Sequence, residues 1–224
     1  SGQPLTRPEL AVLLAYAKLS LSDDLVASKL PDEPYFEQLL FGYFPKRMVK
    51  TYAEEISNHR LKREIVATLL ANDVINRGGI TFISRLADTT GKAPADIVRA
   101  YVAVRDGFEI DAIYDAIDAL DNKVAGDVQN QFYHLVGEML LATTAWVLRN
   151  DTTRANLTEL VSTITTARAA LEPRFDGLMP DYLIEAVQSD KAAFVEKGAP
   201  EKLAQRLANL QLAGIMPDIA LIAH

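Results

Sequence analysis

Asp111, Asp115, Asp118 and Asp121 recur at intervals of three and four residues, a spacing that gathers carboxylates on one side of a helix. Such a set could hold a divalent cation or divide general acid and base between two members. Ile113, Tyr114 and Ile117 fall between them, so the simpler reading, and the one adopted, is a solvated acidic face opposite an apolar one. The histidines His59, His134 and His224 stand far apart, with no HxxxH or HExxH pairing, and cysteine is absent, which removes thiol chemistry, disulfides and the usual structural zinc sites. Gly78-Gly79 follows a helical pattern rather than a strand, so it reads as a helix stop and not as a phosphate cradle. Serine nucleophile elbows and kinase signatures are missing. No catalytic, cofactor-binding or metal-ligating residue is assigned.

Other residues stand out as structural or interface candidates. Lys46, Arg47 and Lys50, then His59, Arg60, Lys62 and Arg63, form a basic segment interleaved with Glu54, Glu55 and Glu64. Mixed charge of this kind reads as a solvated helix face before it reads as an anion site. Asn72 and Asn76 sit among apolar residues; as buried amides they would need partners and would fix helix register. Arg77 follows, where a cation favours the exposed carbonyls of a helix end. Trp146, the single tryptophan, is expected in the core with its N–H on an acceptor.

These residues require helices to carry them. Residues 47–77 contain no proline or glycine, and predict one long helix. Leu61, Ile65, Thr68, Leu69, Asn72 and Asn76 share one stripe, with Val66, Leu70 and Val74 opposite, so neighbours are expected on both sides. Thr6-Arg7-Pro8-Glu9 opens a helix as a capping box with proline in the first turn. Ser22-Asp23-Asp24 should cap a second, short helix ending at Pro31, and Pro34 should start another. Further helices are predicted to Thr90, from Pro94, after Gly107, over 127–149 with Val128, Phe132, Leu135, Met139, Ala142 and Trp146 inward, over 156–171, from Pro180 and from Pro200. Asn150 and Asp151 should end the helix over 127–149. No alternating strand pattern is found. The fold class is all-α: a multi-helix bundle of about ten helices around the long central one, with subdomains 1–91 and 92–224 divided at Lys92-Ala93-Pro94.

With 224 residues, 49% of them apolar, the chain can bury a core as one large domain or two small ones. The net charge of -7 argues against a general nucleic-acid partner, which needs clustered cations for phosphate neutralisation. The apolar runs near Leu10–Leu21 and Leu135–Leu148 are interrupted by Lys18 and Glu138, so no membrane span is expected. No signal peptide is recognised, and a cytoplasmic location is expected. Opening on Ser1-Gly2 and closing on the apolar stretch Pro217–His224, the chain is expected to be a piece of a longer protein.

Several ordered strings carry a resemblance. Pro4-Leu5-Thr6-Arg7-Pro8-Glu9-Leu10-Ala11-Val12-Leu13-Leu14-Ala15-Tyr16-Ala17-Lys18 closely resembles a segment of the large NAD-specific glutamate dehydrogenases of bacteria. Tyr43-Phe44-Pro45, His59-Arg60-Leu61-Lys62-Arg63-Glu64-Ile65, Ala71-Asn72, Asn76-Arg77, Gly79-Ile80-Thr81-Phe82, Arg99-Ala100-Tyr101 and Ala119-Leu120-Asp121-Asn122 follow in the order that family shows. The resemblance implies the helical C-terminal part of such an enzyme, after a catalytic domain that holds the catalytic lysine and the glycine-rich nucleotide turn. No position here matches those motifs, so no catalytic or cofactor residue is carried over. One departure is Ala142 and Ala145, where basic residues would precede the tryptophan; without them an anion contact near Trp146 loses its cations.

The expected function is therefore a non-catalytic helical domain, serving assembly or regulation, inactive alone. Its parent would convert L-glutamate, NAD and water to 2-oxoglutarate, ammonia and NADH. NAD would bind the parent and not this piece. Expected partners are the catalytic part of the same polypeptide and, as a further candidate, other subunits of a homo-oligomer. The alternative is a stand-alone helical adaptor that grips a protein partner in a groove.

Overall fold

A computed structural model describes residues 6–150 and 156–213. Every regular element among them is helical, with no strand, so the all-α bundle is what the chain forms. The expectations placed on Asp151, His224 and the Pro217–His224 ending lie outside the described residues. No described helix is long and apolar enough to cross a membrane. The chain divides into two units, one up to Arg99 and one from Ala100 onward.

The first unit begins with α1 (Arg7–Ala27). Its opening is the expected capping box: the Glu9 Oε2 atom accepts from the Thr6 N–H at 2.8 Å and from the Thr6 hydroxyl at 2.7 Å. Those bonds favour the ionised carboxylate and hold Glu9 below its ordinary pKa, the hydroxyl bond contributing more than the amide. α1 then runs on through Ser22-Asp23-Asp24, which do not cap a second helix. Leu21 and Leu25, one turn apart, are both buried where α1 packs on α5, and continuing the helix keeps both on that face. The Ser22 Oγ atom lies 3.4 Å from Thr68 Oγ1 of α5. α1 stops where the Ser28 hydroxyl donates to the Leu25 carbonyl at 2.7 Å. Two 3-10 turns, Leu30–Asp32 and Pro34–Phe36, lead into α2 (Glu37–Tyr43).

The long helix predicted over 47–77 is three helices: α3 (Lys46–Thr51), α4 (Ala53–Ser57) and α5 (Lys62–Gly78). Side chains compete with the ladder between them. Asn58 Nδ2 donates to the Glu54 carbonyl at 3.0 Å, and His59 Nδ1 accepts from the Leu61 N–H at 3.2 Å. α5 buries Val66, Ala67, Leu70, Ala71, Val74 and Ile75, the face that carries its two alanines. It ends at Gly79, whose N–H donates to the Ile75 carbonyl at 3.1 Å with φ 86°, the stop expected there. Gly78 is required for a different reason: a Cβ would stand 2.6 Å from the Phe82 ring. α6 (Phe82–Thr90) follows.

The division between units falls within α7 (Pro94–Gly107). The second unit continues with α8 (Ile110–Asp118), α9 (Gly126–Arg149), α10 (Leu157–Leu171), the four-residue α11 (Phe175–Leu178), α12 (Asp181–Glu196) and α13 (Glu201–Ala213). α13 packs on α12, α9 and α8. Phe132 of α9 meets Phe194 of α12 edge to face, ring centroids 5.4 Å apart, a pairing worth about 0.5–1.5 kcal/mol beyond the area it buries. The inward face of α9 differs from the predicted stripe: Phe132 and Met139 are buried as expected, but Val136, Leu140, Thr143 and Thr144 replace Leu135 and Ala142.

Candidate functional site

α1 changes character along its length. Its last turns are anchored, with Leu25 fully buried, whereas its first turns are apolar in composition and open to solvent. Val12 is 55% exposed and Tyr16 67%, and Leu10, Leu13 and Leu19 are also exposed. These residues do not make a single stripe; they occur on several sides of the helix. A helix apolar all round is ordinarily covered all round, and exposed apolar residues concentrated in a few turns mark an interaction surface. Tyr43, Met48, Tyr52 and Leu61, in and between α2, α3 and α4 and just before α5, are further exposed apolar residues of the same unit.

The sequence-selected residues have distinct fates. Arg63 is a clamp: its Nη2 donates to the carbonyls of Val26 at 2.8 Å and Ser28 at 2.6 Å, and its Nη1 pairs with Asp32. These are the unpaired carbonyls at the end of α1, so Arg63 caps that helix from α5. Arg60 is exposed. Asn72 is half-buried and Asn76 exposed, which overturns the expectation that both are buried. The stripe they share is the outer one, since burial follows Ala67, Leu70, Ala71 and Val74 instead. Arg77 lies in the last turn of α5, and its Nε binds Asp73 Oδ1 at 2.8 Å. Trp146 is half-buried rather than in the core. Asp111, Asp115, Asp118 and Asp121 are exposed opposite buried Ile113, Tyr114 and Ile117, the solvated acidic face of the simpler reading. Asp118 also accepts from the Tyr133 hydroxyl.

A polar centre that the sequence did not single out lies in the second unit. Glu109, between α7 and α8, adopts the left-handed conformation (φ 52°, ψ 44°). Its carboxylate lies 3.0 Å from Arg168 Nη2 of α10 and 3.7 Å from Arg206 Nη2 of α13. Arg206 Nη2 also reaches the carbonyls of Phe108 at 3.3 Å and Glu109 at 3.2 Å, capping the end of α7. Burial pushes Arg206 below the usual guanidinium range; Glu109 opposes the shift and Arg168 adds to it. A cavity of about 420 Å³ opens beside them.

Gly107 makes the junction possible. Its Cβ, if present, would stand 2.4 Å from the Ile164 Cγ2 atom of α10. The bare backbone lets α10 come close, and Arg168, one turn beyond Ile164, meets Glu109 as a result.

Residues 2–224 match the family described as "Glutamate dehydrogenase, C-terminal". The chain is 38% identical over 207 residues to the NAD-specific glutamate dehydrogenase of Halomonas elongata. It is 35% identical over 208 residues to that of Pseudomonas aeruginosa, and 32% over 208 residues to that of Mycobacterium tuberculosis. These alignments cover 92–93% of the chain but 13% of each relative.

Proposed function

Because the chain belongs to the C-terminal family of the glutamate dehydrogenases, we propose that it is a non-catalytic helical domain of a large NAD-dependent glutamate dehydrogenase and docks onto the remainder of that polypeptide through the first turns of α1. The observation that carries this reading is the exposed apolar arm of Leu10, Val12, Leu13, Tyr16 and Leu19. Relatives of which the chain spans only 13% have ample further surface to cover it. Removing a Val, Leu or Tyr side chain from water is worth roughly 1.5–3 kcal/mol at full burial, so five such residues can supply a strong interface even after the cost of ordering it.

The domain's role is positional. In the parent, L-glutamate would be oxidatively deaminated to 2-oxoglutarate and ammonia with NAD bound elsewhere in the polypeptide, and this helical part would hold the catalytic region in its assembled form. The test is to delete the domain from the intact dehydrogenase and add the 224-residue chain back in trans. Restored glutamate oxidation with the normal chain, and none with Val12→Asp plus Tyr16→Asp, is the expected result. Undiminished activity of the deleted enzyme would refute the assembly role.

A further inference from the structure

We infer that the cavity of about 420 Å³ beside the α7–α8 junction binds a small organic oxyanion, a carboxylate or phosphate head on a short apolar body. The size suits such a molecule, since small-ligand sites begin near 300 Å³. Its wall carries three cations, Arg168, Lys202 and Arg206, against two carboxylates, Glu109 and Glu172, leaving an excess of positive charge.

The donors are also under-used. Glu109 and Glu172 engage the two terminal nitrogens of Arg168, at 3.0 Å and 3.8 Å, while its Nε is buried without a partner. Arg206 spends Nη2 on two carbonyls and the edge of Glu109, which leaves its Nε and Nη1 hydrogens without a described acceptor. Lys202 makes no ion pair with a described residue. Asn209 accepts from Gln205 at 3.0 Å through its oxygen, so its own amide hydrogens are available. A guanidinium, an ammonium and an amide with spare N–H groups around one cavity match an oxyanion, which has only acceptors. The floor is apolar: Phe108, Ile113 and Leu210 are all buried and all line the cavity, fitting a short hydrocarbon body and not a bare ion alone. Burial and the adjacent Arg168 both disfavour the charged form of Arg206, and a bound anion would relieve that repulsion.

This site is independent of the α1 surface, and the test needs no dehydrogenase activity. The 224-residue chain is titrated calorimetrically with inorganic phosphate and, separately, with butyrate, each against chloride at matched ionic strength. Saturable binding of at least one anion with Kd below about 1 mM is expected. Butyrate alone would identify a carboxylate head, and phosphate alone a phosphate head. Lys202→Glu, at an exposed position with no ion-pair partner among the described residues, should weaken binding about tenfold or more without altering the circular dichroism, and Glu172→Gln should tighten it. Absence of saturable binding by either anion, or an unchanged Kd in Lys202→Glu, overturns the inference.

Discussion

Glu109 reaches Arg168, 3.0 Å from carboxylate to guanidinium, from a backbone that an L-residue with a Cβ seldom adopts (φ 52°). The left-handed turn costs roughly 1–2 kcal/mol. An ion pair whose carboxylate is 56% exposed returns about 0–1 kcal/mol. Glu109→Gly should therefore be at least as stable as the parent chain, and more stable than Glu109→Ala by about 1 kcal/mol, because glycine relieves the turn and alanine keeps it. Urea denaturation of the two variants checks the order.

The two halves of α1 should respond oppositely to truncation. Leu25→Ala opens a cavity against α5 and should cost about 2–5 kcal/mol in the 224-residue chain. Val12→Ala, made at an exposed site, should fall within about 0.5 kcal/mol. In the intact dehydrogenase Val12→Ala should instead lower the stability of assembly, measurable as subunit dissociation or loss of trans-complementation.

Gly107→Ala reverses the usual helix rule. Alanine in a helix interior normally gains about 1 kcal/mol over glycine; Gly107, the last residue of α7, offers less of that gain, and a methyl there would meet Ile164 Cγ2 at 2.4 Å. A net loss of about 1–3 kcal/mol is expected, and only partial recovery in the double variant with Ile164→Ala, whose own Cβ would still stand 2.7 Å from the new methyl. A double-mutant cycle by chemical denaturation measures the coupling.

Tyr133 should titrate late. Burial and the Asp118 carboxylate, with Asp121 adding, push its hydroxyl up to about 12, above the unfolded value near 10. A raised folded pKa means the contribution is fully present below the unfolded pKa and is lost as pH rises through the folded one. Stability should thus decline between about pH 10 and 12, and this part of the decline should vanish in Tyr133→Phe. The difference in tyrosinate absorbance between the two proteins during an alkaline titration locates the group.

Helix content and most helix ends were readable because proline, glycine and Asn156 act locally: the Asn156 side chain accepts the Glu159 N–H at 2.9 Å, as an N-cap should. The break at Asn58 and His59 was not, because a proline-free run gives no notice that side chains will take the backbone's hydrogen bonds. The face of α5 was misjudged for a related reason. Both stripes are apolar, and only tertiary packing selects the one bearing Ala67 and Ala71, so Asn76→Ala should be nearly neutral. The Glu109 centre was invisible in principle, since Arg206 reaches its carbonyl from 97 residues away.

α1 also serves as a built-in reporter. All of its amides past the first turn are bonded within the same helix, yet its buried side chains, Leu21 and Leu25, lie toward its end. Deuterium uptake along this single helix should therefore form a gradient, with fast exchange near Val12 and Tyr16 and slow exchange near Leu25. Once the remainder of the dehydrogenase covers the arm, the gradient should flatten, so the amides of residues 10–19 register occupancy of the surface without any label.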